Sequence, residues 1–148
     1  MAFFEELSIG DRFETPGTTM TADRIVRFAR VNDQQLFHIN LDQADDAHFG
    51  GLIASGIQTM QISFALFFGL NLVQEAAFGG AGIDRLRWKK PVRADDTIRV
   101  ICEVLDCKTR SPAAGTGLIT MRHDTLNQHD DVVMTMECHH ILKKRHSG

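Results

Sequence analysis

The stretch from Ile57 to Leu72, Ile-Gln-Thr-Met-Gln-Ile-Ser-Phe-Ala-Leu-Phe-Phe-Gly-Leu-Asn-Leu, sets the tightest limit on what this chain can fold into. It reads as a helix of roughly 16 to 18 residues, about 25 Å long at ~1.5 Å per residue. Beyond Ile62 its apolar residues cover almost the whole circumference. A surface helix keeps one polar face, so a helix of this composition has to be wrapped by the rest of the chain. It is too short and too interrupted to span a bilayer, which takes ~20 apolar residues in a row. Gln58, Gln61 and Asn71 break its apolar character.

Downstream of the helix the chain is β in character. Phe78-Gly79-Gly80-Ala81-Gly82 reads as a flexible connection, and Ile83 to Val92 as a strand that carries Trp88 and stops at Pro91. A turn at Asp95-Asp96 leads into Thr97 to Leu105, where Ile98, Val100, Cys102 and Val104 share one face at period two. Ser111 to Gly117 reads as a loop, and Leu118 to Leu126 as the next strand. Asp131 to Leu142 is the last, with Val132, Met134, Met136 and Cys138 inward and Val133, Thr135, Glu137 and His139 opposite. Runs of strands after one buried helix predict an α+β fold. It is a single domain over residues 1–148, with an antiparallel sheet wrapped around a long central helix.

Ahead of that helix, Leu7 to Thr15 predicts a turn at Gly10-Asp11 and a short strand. Thr21 is placed to cap an amphipathic helix, Ala22 to Arg30, that buries Ile25, Phe28 and Ala29 and ends near Val31-Asn32. Asp33 therefore lies just past a helix C-terminus. Gln34 to His38 is expected to be extended, and Leu41 to Ala47 to form one or two helical turns before the break at Phe49-Gly50-Gly51.

Charge and motifs remove several classes of function. A net charge of -3 carries no nucleic-acid footprint, and Lys143-Lys144-Arg145 is a short solvated tail. The start, Met1-Ala2-Phe3-Phe4-Glu5-Glu6, lacks the basic and apolar regions of a signal peptide. Three cysteines without a CxxC predict free thiols in a reducing cytoplasm. The expectation is a cytoplasmic protein without nucleic-acid or membrane partners. Neighbouring side chains on a strand point to opposite faces, so His139-His140 is not expected to hold a metal. The cysteines lack zinc-ligand spacing, and neither a phosphate loop nor a Gly-x-Ser-x-Gly elbow is present. Neither metal nor cofactor is expected.

The chemistry-bearing residues gather upstream of the long helix. Asp33 and His38 put an acid and an imidazole five residues apart, and Ser55-Gly56 opens the helix. Their reference pKa values, near ~3.9 and ~6.5, suit acid–base work. The Gly56 N–H, at a helix start with a positive dipole end, suits an oxyanion. Ser55 as an N-cap and Gly56 as a packing glycine would serve the fold equally well.

Four segments carry a resemblance. They are Thr21-Ala22-Asp23 with Phe28-Ala29; Asp33-x4-His38-x3-Asp42; Phe49-Gly50-Gly51-Leu52-Ile53-Ala54-Ser55-Gly56; and Trp88-x2-Pro91-Val92-x3-Asp96. In this order and spacing the chain, from about Leu7 to Ile141, resembles the MaoC-like dehydratase family, whose best-known members are (R)-specific enoyl-CoA hydratases with the hot-dog fold. The resemblance implies a hot dog paired into a homodimer, or a larger homo-oligomer of dimers, acting on an acyl-CoA or acyl-carrier-protein thioester. It implies a hydro-lyase in which Asp33 and His38 hold the water added across the 2,3 double bond, and in which Gly56 and Ser55 bind the thioester. Asp33 as base and His38 as orienter and proton carrier is one division of roles, and the sequence leaves it open. Phe37, Phe64 and Phe68 are candidates for an acyl tunnel or for plain core. Family members often carry Asn-Pro where this chain has Gln35-Leu36. Members also often carry a serine in the long helix facing the catalytic pair. Ser63 is one position out of register, so its hydroxyl is expected to bond its own helix backbone. A hot-dog thioesterase and a non-catalytic acyl-binding module are the alternative functions.

Overall fold

The computed structural model describes residues 1–41, 49–110 and 112–145. Two short strands, β1 (Arg12–Glu14) and β2 (Thr18–Met20), precede helix α1 (Ala22–Asn32) and a single helical turn α2 (Leu36–Ile39). The long helix α3 (Gly56–Gly69) comes next, followed by β3 (Ala77–Trp88), β4 (Asp96–Thr109), β5 (Thr116–Leu126) and β6 (Val132–Lys143). The strands form one antiparallel sheet in the order β1-β4-β5-β6-β3, with β2 also paired to β4. The sheet packs against α3 in the hot-dog arrangement expected from the sequence.

Period-two burial on three adjacent strands makes the seat for the helix. Ile98, Val100, Cys102 and Val104 of β4, Ile119 and Met121 of β5, and Met134, Met136 and Cys138 of β6 all turn inward and are buried. Helix α3 meets them with Ile62 and Phe67, among others. Removing a side chain of that size from water is worth ~1.5–3 kcal/mol. The far flank of α3 is less covered than its composition predicts: Ile57 is 44% exposed and Ala65 is exposed. Within one chain, the wrap is complete only on the sheet side.

Four local expectations change. The alternation of β6 holds only from Met134 onward: a register shift lets Leu126 pair with Val132 and Thr125 with Met134, so Val133 is buried and Val132 only half-buried, the reverse of the expected order. α3 ends at Gly69 rather than Leu72, because Asn71 adopts a left-handed conformation (φ 55°) that a helix cannot continue. Phe78-Gly79-Gly80-Ala81-Gly82 is not a flexible connection but part of edge strand β3. The glycine backbone pairs with β6 through register shifts after Ala77, Gly80 and Asp84, and Arg85 takes φ 51° at one of them. Gln34 to His38 is not wholly extended, since the N–H groups of His38 and Asn40 reach back to the carbonyls of Gln35 and Leu36 and close the turn α2. Of the turns expected over Leu41 to Ala47, all but Leu41 lie outside the described residues. Thr21 caps α1 as expected, its hydroxyl accepting from the Arg24 N–H at 3.2 Å.

Two buried imidazoles stand out in this core. Burial, with the neighbouring His140, pushes His123 down to about 3. Burial, with His139 beside it, pushes His140 down to about 4. Both rings are neutral at pH 7.

Phe67, where α3 meets the sheet, is the largest fully buried side chain among the described residues. Phe67→Ala is expected to cost about 3–5 kcal/mol in urea unfolding. A cost below about 1 kcal/mol would contradict the seating described.

Candidate active site

Asp33 is the C-cap of α1, its N–H bonded to the Ala29 carbonyl at 2.9 Å. The turn α2 then brings His38 back towards it. The His38 ring is buried, with Nδ1 2.7 Å from the carbonyl of Ile53. A carbonyl can only accept, so Nδ1 carries the proton and Nε2 of the neutral ring presents a lone pair. That Nε2 stands 3.4 Å from Asp33 Oδ2. Lone pair and carboxylate are both acceptors, so neutral His38 does not bond Asp33 directly. A molecule with two protons to donate, such as water, fits the pair better than the two groups fit each other.

The segment Leu52 to Ser55 anchors both side chains. Ile53 takes the His38 hydrogen bond, donates its own N–H to the Phe37 carbonyl at 3.2 Å, and bridges to Arg93. Ala54 N–H bonds the Val92 carbonyl at 2.8 Å. Ser55 is fully buried and caps α3, accepting from the Ile57 N–H at 3.2 Å. Its hydroxyl donates to Asp33 Oδ2 at 2.6 Å, so its one proton is committed to the acid rather than free for a thioester. Gln35 Nε2 donates to the other oxygen, Asp33 Oδ1, at 2.8 Å.

These contacts decide the state of Asp33. Burial alone would raise its carboxyl. The hydrogen bonds from Ser55 and Gln35, with the charge on His38 when it is protonated, outweigh that, and the net shift is downward. Asp33 is therefore an anion at neutral pH.

A cavity of about 540 Å³ opens beside the pair. Asp33, Gln35, His38, Thr59, Lys89 and Lys90 bring polar side chains to it, Phe37, Phe49 and Trp88 form its aromatic walls, and Ile53, Ala54, Val92 and Val133 an apolar floor. Gly56 also lines it, and among the described residues its N–H has no hydrogen-bond partner. A Cβ at Gly56 would collide with the Trp88 indole, so only glycine lets that ring close over the helix start.

The structure thus brings together Asp33, His38, Ser55, Gly56 and Phe37. It leaves two proposed tunnel residues outside: Phe64 and Phe68 pack on one another at 5.0 Å and on His140 at 5.9 and 5.8 Å, away from the cavity. Ser63 is corrected as well, because its buried hydroxyl bonds neither its own helix nor any other described group. Two residues went unrecognised. In sequence Gln35 reads only as a departure from the family pattern, and Trp88 only as part of a strand and of a segment that carries the resemblance, with nothing to bring it over Gly56.

Comparison with known proteins agrees with this fold. The MaoC-like domain family matches residues 5–125. YdeM, an uncharacterised protein of Bacillus subtilis, is 33% identical over 95% of this chain and 98% of its own. Among solved structures, a MaoC-like dehydratase from Rhodospirillum rubrum superposes with TM-score 0.89 at 31% identity, covering 99% of both chains. The (R)-hydratase PhaJ1 of Pseudomonas aeruginosa shares the fold, with TM-score 0.70 at 22% identity over 97% of this chain and 86% of its own.

Ser55→Ala and Gln35→Ala each remove a donor that favours the charged carboxylate, so each is expected to raise the Asp33 pKa towards its ordinary value in an NMR titration. Ser55→Ala also loses a helix cap worth about 1 kcal/mol. An unmoved Asp33 titration in both variants would contradict the hydrogen-bond assignment. By its family model, its relatives and its fold, the chain belongs to the MaoC-like domain family, which includes hydratases and dehydratases.

Proposed function

We propose that the protein is a hydro-lyase that adds water across, or removes it from, the 2,3 double bond of an enoyl thioester, with (R) configuration at C3. The observation that carries this is the facing of His38 Nε2 and the Asp33 carboxylate across 3.4 Å, with the Gly56 N–H, which bonds no described residue, on the same cavity.

In the hydration direction, a water donates one hydrogen bond to Asp33 and one to His38 Nε2. Its oxygen attacks C3 as its proton passes to His38, and negative charge moves through C2 to the thioester oxygen. The Gly56 N–H, aided by the positive end of α3, holds that oxyanion. His38 then returns the proton to C2. The C3–O and C2–H bonds form on one face, one O–H bond and the π bond are lost, and the enzyme ends as it began. Two hydrogen bonds to Asp33 weaken it as a base, which favours His38 as the proton carrier and Asp33 as the group that orients water and stabilises imidazolium. Ser55 and Gln35 act through Asp33, as positioning residues.

The apolar floor suits an acyl chain, and Lys89 and Lys90 beside Trp88 put ammonium groups at the rim. Lys90 is shared with Asp131 at 3.1 Å. CoA and an acyl carrier both bring phosphate to such a rim. The edge of β3 is exposed along nearly its whole length, which supports assembly through that strand into a homodimer.

Incubation with crotonyl-CoA tests the reading. Loss of the enoyl absorbance without free thiol is expected, and Asp33→Asn and His38→Ala should each slow it at least ~100-fold while leaving the circular dichroism spectrum unchanged. Release of free CoA would make the protein a thioesterase instead. Inactivity on short, long and branched enoyl-CoAs would leave an acyl-binding module. Either result overturns the proposal.

A further inference from the structure

The interior of the sheet holds a group of side chains that acyl chemistry at Asp33 and His38 does not use. His123 on β5 and Cys138 and His140 on β6 are all buried. One donor atom from each, a ring nitrogen or Sγ, lies within 4.8 Å of the others. Strand register brings them together. Met121 pairs with Cys138 and His123 with Met136, so His123 lies diagonally across from Cys138, and His140 comes two residues later on the same face. The imidazole centroids are 6.0 Å apart, and Phe67 of α3 contacts both rings at 5.0 and 5.2 Å. His139 points the other way, to Thr120 and Asp84.

Three nitrogens of this cluster have no partner among the described residues. Both nitrogens of His123 and Nε2 of His140 are buried and make no hydrogen bond to any described group. Each such buried group has lost its water without gaining a hydrogen bond in return. Nothing in the proposed hydration offsets that loss, and all three side chains belong to residue types that bind soft or borderline-soft metals.

We propose that His123, Cys138 and His140 form a Zn²⁺ site inside the core, ligated by the two imidazoles and the Cys138 thiolate. Bond lengths of ~2.0–2.1 Å to nitrogen and ~2.3 Å to sulfur place donors on one zinc roughly 3.3–3.8 Å apart. The observed spread closes to that by side-chain rotation. Binding releases the Cys138 proton to solvent and replaces S–H by a Zn–S bond. Cys102, buried on β4 and paired in register with His123, lies outside this group of donors, so Cys138 supplies the one thiolate. Ser63, one turn before Phe67 on α3 and itself an orphaned hydroxyl, stands on the helix that covers the cluster. A site this enclosed loads as the chain folds, so its occupancy is coupled to refolding.

The test unfolds the full chain in guanidinium with a chelator, removes both, and refolds it with one equivalent of Zn²⁺ or Co²⁺. The site is expected to retain one metal per chain after desalting. Co²⁺ should give a thiolate-to-cobalt charge-transfer band with intense visible bands of tetrahedral cobalt. The charge-transfer band should vanish in Cys138→Ser and persist in Cys107→Ser. Free Zn²⁺ at about 100 times its Kd should lower the unfolding equilibrium constant about 100-fold. Refolding to the same stability without retained metal, or a cobalt band that survives Cys138→Ser, would overturn the proposal. The wild-type metal content and spectrum decide it even where the Cys138 variant fails to fold.

Discussion

The hydrogen bond from Ser55 to Asp33 is the contact on which the candidate site depends. It spans 22 positions of sequence and joins the corner after α1 to the first turn of α3. The serine oxygen also accepts from the Ile57 N–H, so the carboxylate is tied to the end of the helix that the whole sheet is built to seat. His38 is tied to the same short segment through Ile53, and Gly56 directly adjoins Ser55. Acid, imidazole and the Gly56 N–H thus share one reference frame. Its rigidity comes from the core beneath α3 and from the backbone bonds that link Ile53 and Ala54 to the approach to β4.

The frame also sets the electrostatics. A carboxylate at a partly buried position would ordinarily gain a proton more easily, yet Asp33 has the opposite tendency because two side-chain donors satisfy its charge. An anion fixed beside a neutral ring whose only free nitrogen is a lone pair is a receptor for two protons on one oxygen. The cavity adds an apolar floor and a glycine that lets Trp88 lie against the helix start. The open flank of α3, where Ile57 is exposed, lies on the cavity side, while the closed flank faces the sheet. Chemistry and packing thereby divide the helix between them.

Much of this was legible in the chain. The apolar circumference of α3 and the period-two faces of β4 and β6 predicted a wrapped helix and a sheet after it, because burial acts on patterns that local sequence records. Asp33 and His38 stood out through their spacing and through the resemblance. What the sequence hid depended on long-range register. Ser55 and Asp33 meet only after α2 folds back, and His123 meets Cys138 and His140 only in the β5–β6 pairing. Gly79, Gly80 and Gly82 suggested flexibility, whereas their backbones are paired to β6 and side-chain pattern cannot report that. Gln35, a mere deviation from a motif in one dimension, is a hydrogen-bond donor to the acid in three.

The central claim is that one water, held between Asp33 and His38, supplies both the oxygen that reaches C3 and, through His38, the proton that reaches C2. Hydration of crotonyl-CoA in D₂O, with the relative configuration of the product read from proton coupling, tests it most directly. The account predicts deuterium at C2 and hydroxyl at C3 on the same face, with (R) at C3. Addition to opposite faces, or an (S) product, would contradict it.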